Sequence, residues 1–124
     1  MNWVDKIIKN AGGTPPVDRS KIAMASGKPK IADYTAPKAN GQQKDYLVLS
    51  EEERKRGFVR PLRKSYTHMQ CNTATTMSNE IAETYARDPA FYGGTFCAAC
   101  SKHFPLHENG NWNFRWKDGT GVGT

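Results

Sequence analysis

The sequence predicts a small α+β domain stapled by one metal-ligand cluster, with an extended N-terminal arm in front of it. Three observations lead there. Only 37% of the 124 residues are apolar, which limits the core to one small domain plus a tail. Two ligand pairs with the same two-residue gap, His68 with Cys71 and Cys97 with Cys100, lie in the second half of the chain. The stretch from Thr14 to Lys44 carries Pro15, Pro16, Pro29 and Pro37 with almost no large apolar side chains. Residues 1–45 are therefore read as the arm and residues 46–124 as the stapled domain.

Bulk composition narrows the classes further. No apolar run approaches the eighteen or so residues a membrane span needs, and no apolar signal-peptide region opens the chain, so a soluble intracellular protein without a membrane partner is expected. Three cysteines are an odd number, and a Cys-x2-Cys pair without an export signal favours metal binding over disulfides. The formal net charge is +6 and it is uneven. Residues 1–46 hold eight Lys/Arg against four Asp, residues 47–76 six against three Glu, and the remainder four against five acids. The basic excess thus belongs to the arm and its junction, either as a solubilising surface or as a face for an acidic partner.

Within the arm, residues 3–11 form an amphipathic helical pattern. Trp3, Ile7 and Ala11 share a stripe with Val4 and Ile8 beside it, Asn2 can cap it and Gly12-Gly13 ends it. So short a helix is marginal alone, and its apolar face, Trp3, Ile7 and Ile8, must fold back or dock on a partner. The proline-bearing stretch that follows cannot offset its ordering entropy by burial, so it is expected to be extended unless contact holds it.

The domain begins at Tyr46-Leu47-Val48-Leu49. Ser50 followed by Glu51-Glu52-Glu53 reads as a capping box for a short helix that Gly57 stops, with Arg54, Lys55 and Arg56 near its C-terminal end. Phe58 to Tyr66 reads as extended and interrupted by Pro61. A second helix is predicted from Ser78 to Arg87, with Met77, Ile81 and Tyr85 on one face and Pro89 beyond its end. Gly93-Gly94 supplies a turn, and Thr95-Phe96 and His103-Phe104 bracket the Cys-x2-Cys. Trp112, Phe114 and Trp116 alternate with polar residues as a half-buried strand that turns at Asp118-Gly119.

The two ligand pairs, separated by twenty-five residues, match the arrangement of zinc ribbons and treble clefs. A two-residue gap lets a tight turn offer both side chains to one ion. Asn72, just after the first pair, tolerates the left-handed backbone such a turn needs. His68, Cys71, Cys97 and Cys100 are therefore the candidate ligands and zinc the expected cofactor. His103 or His107 could replace His68, although four ligands within eleven residues would close a cramped tetrahedron. A redox dithiol is the weaker reading, since the residues after Cys100 do not read as a helix.

The strings EERKRGFVRP and IAETYARDPAFYGGTFCAAC, the His68/Cys71 pair and the closing aromatic strand resemble small uncharacterised bacteriophage proteins of zinc-ribbon type over residues 49–123. Where such relatives place Gly after the first pair, this chain has Asn72. The resemblance implies phage origin and a zinc-binding module, located in the virion or the host cytoplasm; it carries no established activity.

Four functions are weighed. A non-enzymatic structural role in a macromolecular assembly leads: a virion accessory of capsid decoration or cement type, whose arm runs over neighbouring capsid subunits. Its partner-binding candidates are Trp3, Ile7 and Ile8 on the arm and the basic residues Arg54, Lys55, Arg56, Arg60 and Arg63. Nucleic-acid binding is the alternative, because those basic residues, with Lys64, cluster beside the ligands and exposed aromatics could stack bases. Trp112, Phe114 and Trp116 are, however, better read as core. Inhibition of a host defence system is a further alternative. A nuclease-like site of His103, His107 and Glu108 lacks an Asp/Asn partner at recognisable spacing, so an enzyme is not expected.

Overall fold

A computed structural model describes residues 15–124. The helix expected over residues 3–11, with Trp3, Ile7 and Ile8, lies outside the described residues. Among the described residues nine short strands and two helices follow one another: β1 (Ile22–Met24), β2 (Leu47–Leu49), α1 (Glu51–Arg54), β3 (Ser65–His68), β4 (Thr73–Thr76), α2 (Asn79–Arg87), β5 (Gly94–Cys97), β6 (Lys102–Pro105), β7 (His107–Glu108), β8 (Asn111–Trp112) and β9 (Phe114–Trp116). All strand pairs are antiparallel. They form a three-stranded sheet in the order β4-β3-β9 and the two-stranded ribbons β1-β2, β5-β6 and β7-β8.

Local signals explain most of these elements. Ser50 Oγ accepts from the Glu53 amide at 3.2 Å, so the serine half of the expected capping box forms. The Glu53 side chain does not reach back to complete it; it turns inward to Arg87. Ser78 caps α2 by accepting from the Ile81 amide, and the predicted stripe packs inward, with Met77 and Tyr85 buried and Ile81 partly so. Replacing Ser78 by Ala is expected to cost about 1 kcal/mol, read as a lowered urea midpoint with an unchanged slope.

The extended stretch predicted from Phe58 pairs as a strand only from Ser65 onward. Upstream, the Val59 and Arg60 amides both donate to the Ala86 carbonyl at 2.8 and 3.1 Å, capping the C-terminal end of α2 instead of joining a sheet. At the other end of the chain the Asp118-Gly119 turn forms as expected, Trp116 N–H donating to Thr120 O at 2.8 Å and Arg115 bridging Gly121. The single strand expected through Trp112, Phe114 and Trp116 is broken at Asn113: Trp112, half-buried, belongs to β8 and pairs with β7, while Phe114 and Trp116 of β9, 0% and 2% exposed, are core. Around β9 gather Tyr66, Met77, Ala82, Tyr85, Leu106 and Val122.

The segment 15–45 departs from the expected free arm. It is held by the chain itself: β1 pairs β2 with Ile22 opposite Leu49, and Met24 is buried. Nearer its start, Arg19 makes a bidentate ion pair with Asp88, at 2.7 and 3.0 Å. Arg87, itself 1% exposed, donates to the Pro15 carbonyl at 2.7 Å, and the Asp18 amide donates to Glu53 at 3.1 Å. Polar and main-chain bonds thus supply the ordering that the composition withholds. Further along, Gly41 packs flat on the Ser101 carbonyl, where a Cβ would sit 1.9 Å from the oxygen. That approach, together with φ of +89°, reserves the position for glycine.

Candidate metal centre

Two hairpins built alike present the ligands. In β3-β4, His68 is the last residue of the outgoing strand and pairs with Thr73; in β5-β6, Cys97 holds the same place and pairs with Lys102. Cys71 and Cys100 stand in the two turns. The residue after each is left-handed, Asn72 with φ 55° as expected and Ser101 with φ 54°. Each turn can therefore point its two ligands to the same side. The Ala98 amide donates to Thr75 Oγ1 at 3.1 Å and ties one hairpin to the other.

The four ligand atoms lie within 4.8 Å of one another. Cys71 Sγ is 3.4 Å from His68 Nδ1 and 3.5 Å from Cys97 Sγ, and Cys100 Sγ is 3.6 Å from His68 Nδ1. A tetrahedral ion bonded at about 2.3 Å to sulfur and about 2.0 Å to nitrogen would set its ligands about 3.5–3.8 Å apart. Three of the six ligand spacings therefore match a metal tetrahedron, and none exceeds 4.8 Å. His68 and Cys97 are buried, Cys71 and Cys100 partly exposed.

Packing fixes the imidazole. The His68 ring packs against both Phe104, at 4.4 Å between centroids, and Phe114, at 4.8 Å, which themselves lie 6.3 Å apart, and these contacts restrict its rotamers while Nδ1 stands near the thiols. Electrostatics is unsettled without a cation. Burial pushes the Cys100 thiol up, to about 11, and the adjacent Cys97 and Cys71 sulfurs add to the rise. At Cys71 desolvation pushes the same way but is outweighed by hydrogen bonds with Thr73, Cys97 and His68, which hold that thiol down at about 6. One thiolate forms readily and discourages the next. A divalent ion at the centre removes that conflict by letting all three ionise.

Among the described residues this is the one group of three or more His, Cys, Asp or Glu side chains in ligand geometry. The alternative ligand His103 is turned elsewhere: its Nε2 is 2.8 Å from the Tyr46 hydroxyl, and burial lowers its pKa. His107 packs edge-on against Trp112, and Glu108 lies near the Asn113 amide. His103, His107 and Glu108 therefore do not converge.

The basic residues read as a cluster are dispersed among internal partners. Arg54 pairs with Glu83 at 2.8 Å, Lys55 with Glu51 at 2.7 Å and Arg56 with Glu53 at 3.1 Å. Arg63 stacks over Trp116 and donates to the Thr124 carbonyl. Arg60 is exposed, its guanidinium on the Val59 carbonyl. Sequence reasoning missed the packing of His68 against Phe104 and Phe114 and the tie at Thr75. The repeated spacing of ligand, two residues, ligand, then a turn-tolerant Asn or Ser was the available signal for the matching hairpins.

Comparison with known proteins gives no match. No protein-family model fits the sequence, no curated protein matches it, and no solved structure matches its fold. Among the described residues no helix is long and apolar enough to cross a membrane.

Proposed function

We propose that the chain is a non-enzymatic zinc-binding interaction protein of phage origin, in which the ion welds two hairpins into a rigid platform for a macromolecular assembly. The carrying observation is the Cys3His cluster, with three ligand spacings of 3.4–3.6 Å. Thiolate-rich tetrahedral sets select zinc among the common divalent ions. Four protein ligands leave no coordination position for water or substrate, which suits a structural ion and not a catalytic one. Ion pairs of Arg54 with Glu83, Arg56 with Glu53 and Arg63 with Asp118 occupy part of the basic cluster, which supports a protein partner over a phosphate-binding face. The resemblance of EERKRGFVRP and IAETYARDPAFYGGTFCAAC to small phage proteins supports a virion accessory, of capsid decoration or cement type, as the proposed setting.

Elemental analysis of purified full-length protein together with native mass spectrometry is expected to find one zinc per chain. Mass spectrometry of purified virions is expected to find the chain in many copies. Metal-free folded protein would remove the first half of the proposal, and presence in the infected-cell lysate alone would remove the second.

A further inference from the structure

The ligand cluster carries chemistry that a purely structural ion does not use. Its sulfurs differ in access: Cys71 and Cys100 are partly exposed, whereas Cys97 is 0% exposed. The Cys71 and Cys97 sulfurs belong to different hairpins and stand 3.5 Å apart. A disulfide bond is about 2.0 Å long, so a combined movement of about 1.5 Å would join them.

Bonds within the chain hold that approach. Cys97 is flanked on both sides by ties from one hairpin to the other: the Tyr66 hydroxyl donates to the Phe96 carbonyl, and the Ala98 amide donates to Thr75 Oγ1 at 3.1 Å. Cys71 is fixed in its turn, where the Asn72 amide donates to the His68 carbonyl at 2.7 Å and the Thr73 hydroxyl donates to the Cys71 carbonyl at 3.3 Å. With the backbone set on either side, the gap is left for the side chains to close. Cys100 has the other position, beside His68 Nδ1 at 3.6 Å and in the same turn as Cys97. A bond from it to Cys97 would only tie one hairpin to itself.

We propose that the centre is a redox-operated staple: a hydroperoxide oxidises the accessible Cys71, Cys97 closes a disulfide on it, and this covalent bridge takes over from the released ion. The proposal rests on the zinc reading above and concerns how that site is regulated. In the first step the Cys71 sulfur attacks the O–O bond, forming a sulfenic acid while the distal oxygen leaves as an alcohol or water with a proton. In the second the Cys97 sulfur attacks that sulfenic sulfur, the S–S bond forms, the S–O bond breaks and the hydroxyl leaves with a second proton as water. Two thiolates lose two electrons in all, and the hydroperoxide gains them. His68 and Cys100 are then the remaining donors, too few for a four-coordinate structural site. The bridge spans twenty-six positions and joins β3-β4 to β5-β6, so it restricts the unfolded chain and keeps the two hairpins together without metal.

The test treats the zinc-loaded full-length chain with hydrogen peroxide and follows zinc with a chromogenic chelator, disulfides by peptide mass spectrometry and the fold by circular dichroism. One zinc is expected to leave per disulfide formed, with Cys71 linked to Cys97 and Cys100 alone open to alkylation. The oxidised, zinc-free chain is expected to keep its far-UV signal where the reduced, chelated chain loses it, and a dithiol reductant with added zinc is expected to restore the starting state. Met69, 41% exposed, reports that oxidant reached the molecule. Zinc retained while Met69 becomes its sulfoxide overturns the proposal. A Cys97–Cys100 bond or a bond between chains overturns the bridge, and a bridged chain that unfolds overturns the exchange of staples. Zinc content before treatment tests the earlier reading separately: a chain purified folded and without zinc fails that reading, whereas a zinc-loaded chain that keeps its ion through peroxide fails this one alone.

Discussion

Stripping the metal is expected to unfold the domain, with loss of far-UV signal and of dispersed amide resonances, and restored zinc is expected to return both. The size of the effect follows from two magnitudes. A structural zinc contributes about 10–16 kcal/mol of apparent binding free energy in small zinc-folded peptides at neutral pH, whereas a whole domain is stable by about 5–15 kcal/mol. Here the ligands are also core residues. Cys97 is 0% exposed and His68 2%, and Cys71 and Cys100 pack against the same cluster as Tyr66, Phe114 and Trp116. Loss of the ion leaves three crowded thiols in apolar surroundings, with the hydrogen bonds of Ala98 to Thr75 and of Tyr66 to Phe96 left to join β5-β6 to β3-β4. Cys97→Ser is expected to behave like chelation, because a serine hydroxyl is a far poorer zinc ligand than a thiolate. His103→Ala should keep its zinc, since that ring pairs with Tyr46 and lies outside the ligand cluster. Elemental analysis and circular dichroism of the two variants side by side decide the matter. A folded, zinc-free Cys97→Ser protein would show that the sulfurs are ordinary core residues.

What was legible in the sequence was whatever short-range chemistry determines. Ser50 and Ser78 announce helix starts because an N-cap needs only its own next three residues. The Phe114-Arg115-Trp116 alternation announces β9, though not the break at Asn113 that puts Trp112 in a separate ribbon, and the matching spacing of the two ligand pairs announces their convergence. Pairing of β1 with β2 was not legible. Ile22-Ala23-Met24 is three residues long, shows no alternation longer than itself, and finds a partner beyond a loop of more than twenty residues. Such contacts are selected by the whole fold. The acidic partners of the basic run were not legible for a related reason: the pairing of Arg54 with Glu83 depends on positions in space, while Lys55 and Arg56 stay exposed as the run suggests. Most hidden of all was the burial of Glu53 and Arg87, since charge at a core position contradicts the hydrophobic pattern by which cores are found.

Removing Arg87 is accordingly expected to cost more than any other substitution away from the metal. Its guanidinium donates to the Glu53 carboxylate at 3.0 Å, to the Glu53 carbonyl at 3.2 Å and to the Pro15 carbonyl at 2.7 Å, while Glu53 is 0% exposed. Breaking a buried pair by deleting one partner strands the other charge, at about 3–5 kcal/mol. Arg87→Met should lower stability by about that much in urea titration, and amides from Asp18 to Met24 should exchange faster as the segment loses its anchor. The double variant Glu53→Leu with Arg87→Met is expected to recover much of the loss, because it leaves no orphaned charge. Acidity gives an independent check. Desolvation pushes the Glu53 carboxyl upward, but the Asp18 amide, Arg56 and Arg87 outweigh it and hold the group below its ordinary value of 4.5. A carboxylate whose folded-state pKa is depressed stabilises the fold fully above its unfolded value, and that contribution is lost as the pH falls through the folded value. The stability gap between the native chain and Arg87→Met should therefore be widest near neutrality and narrow below about pH 4. A gap that stays constant across that range would mean that Arg87 acts through packing and main-chain bonds, with no part played by the charge of Glu53.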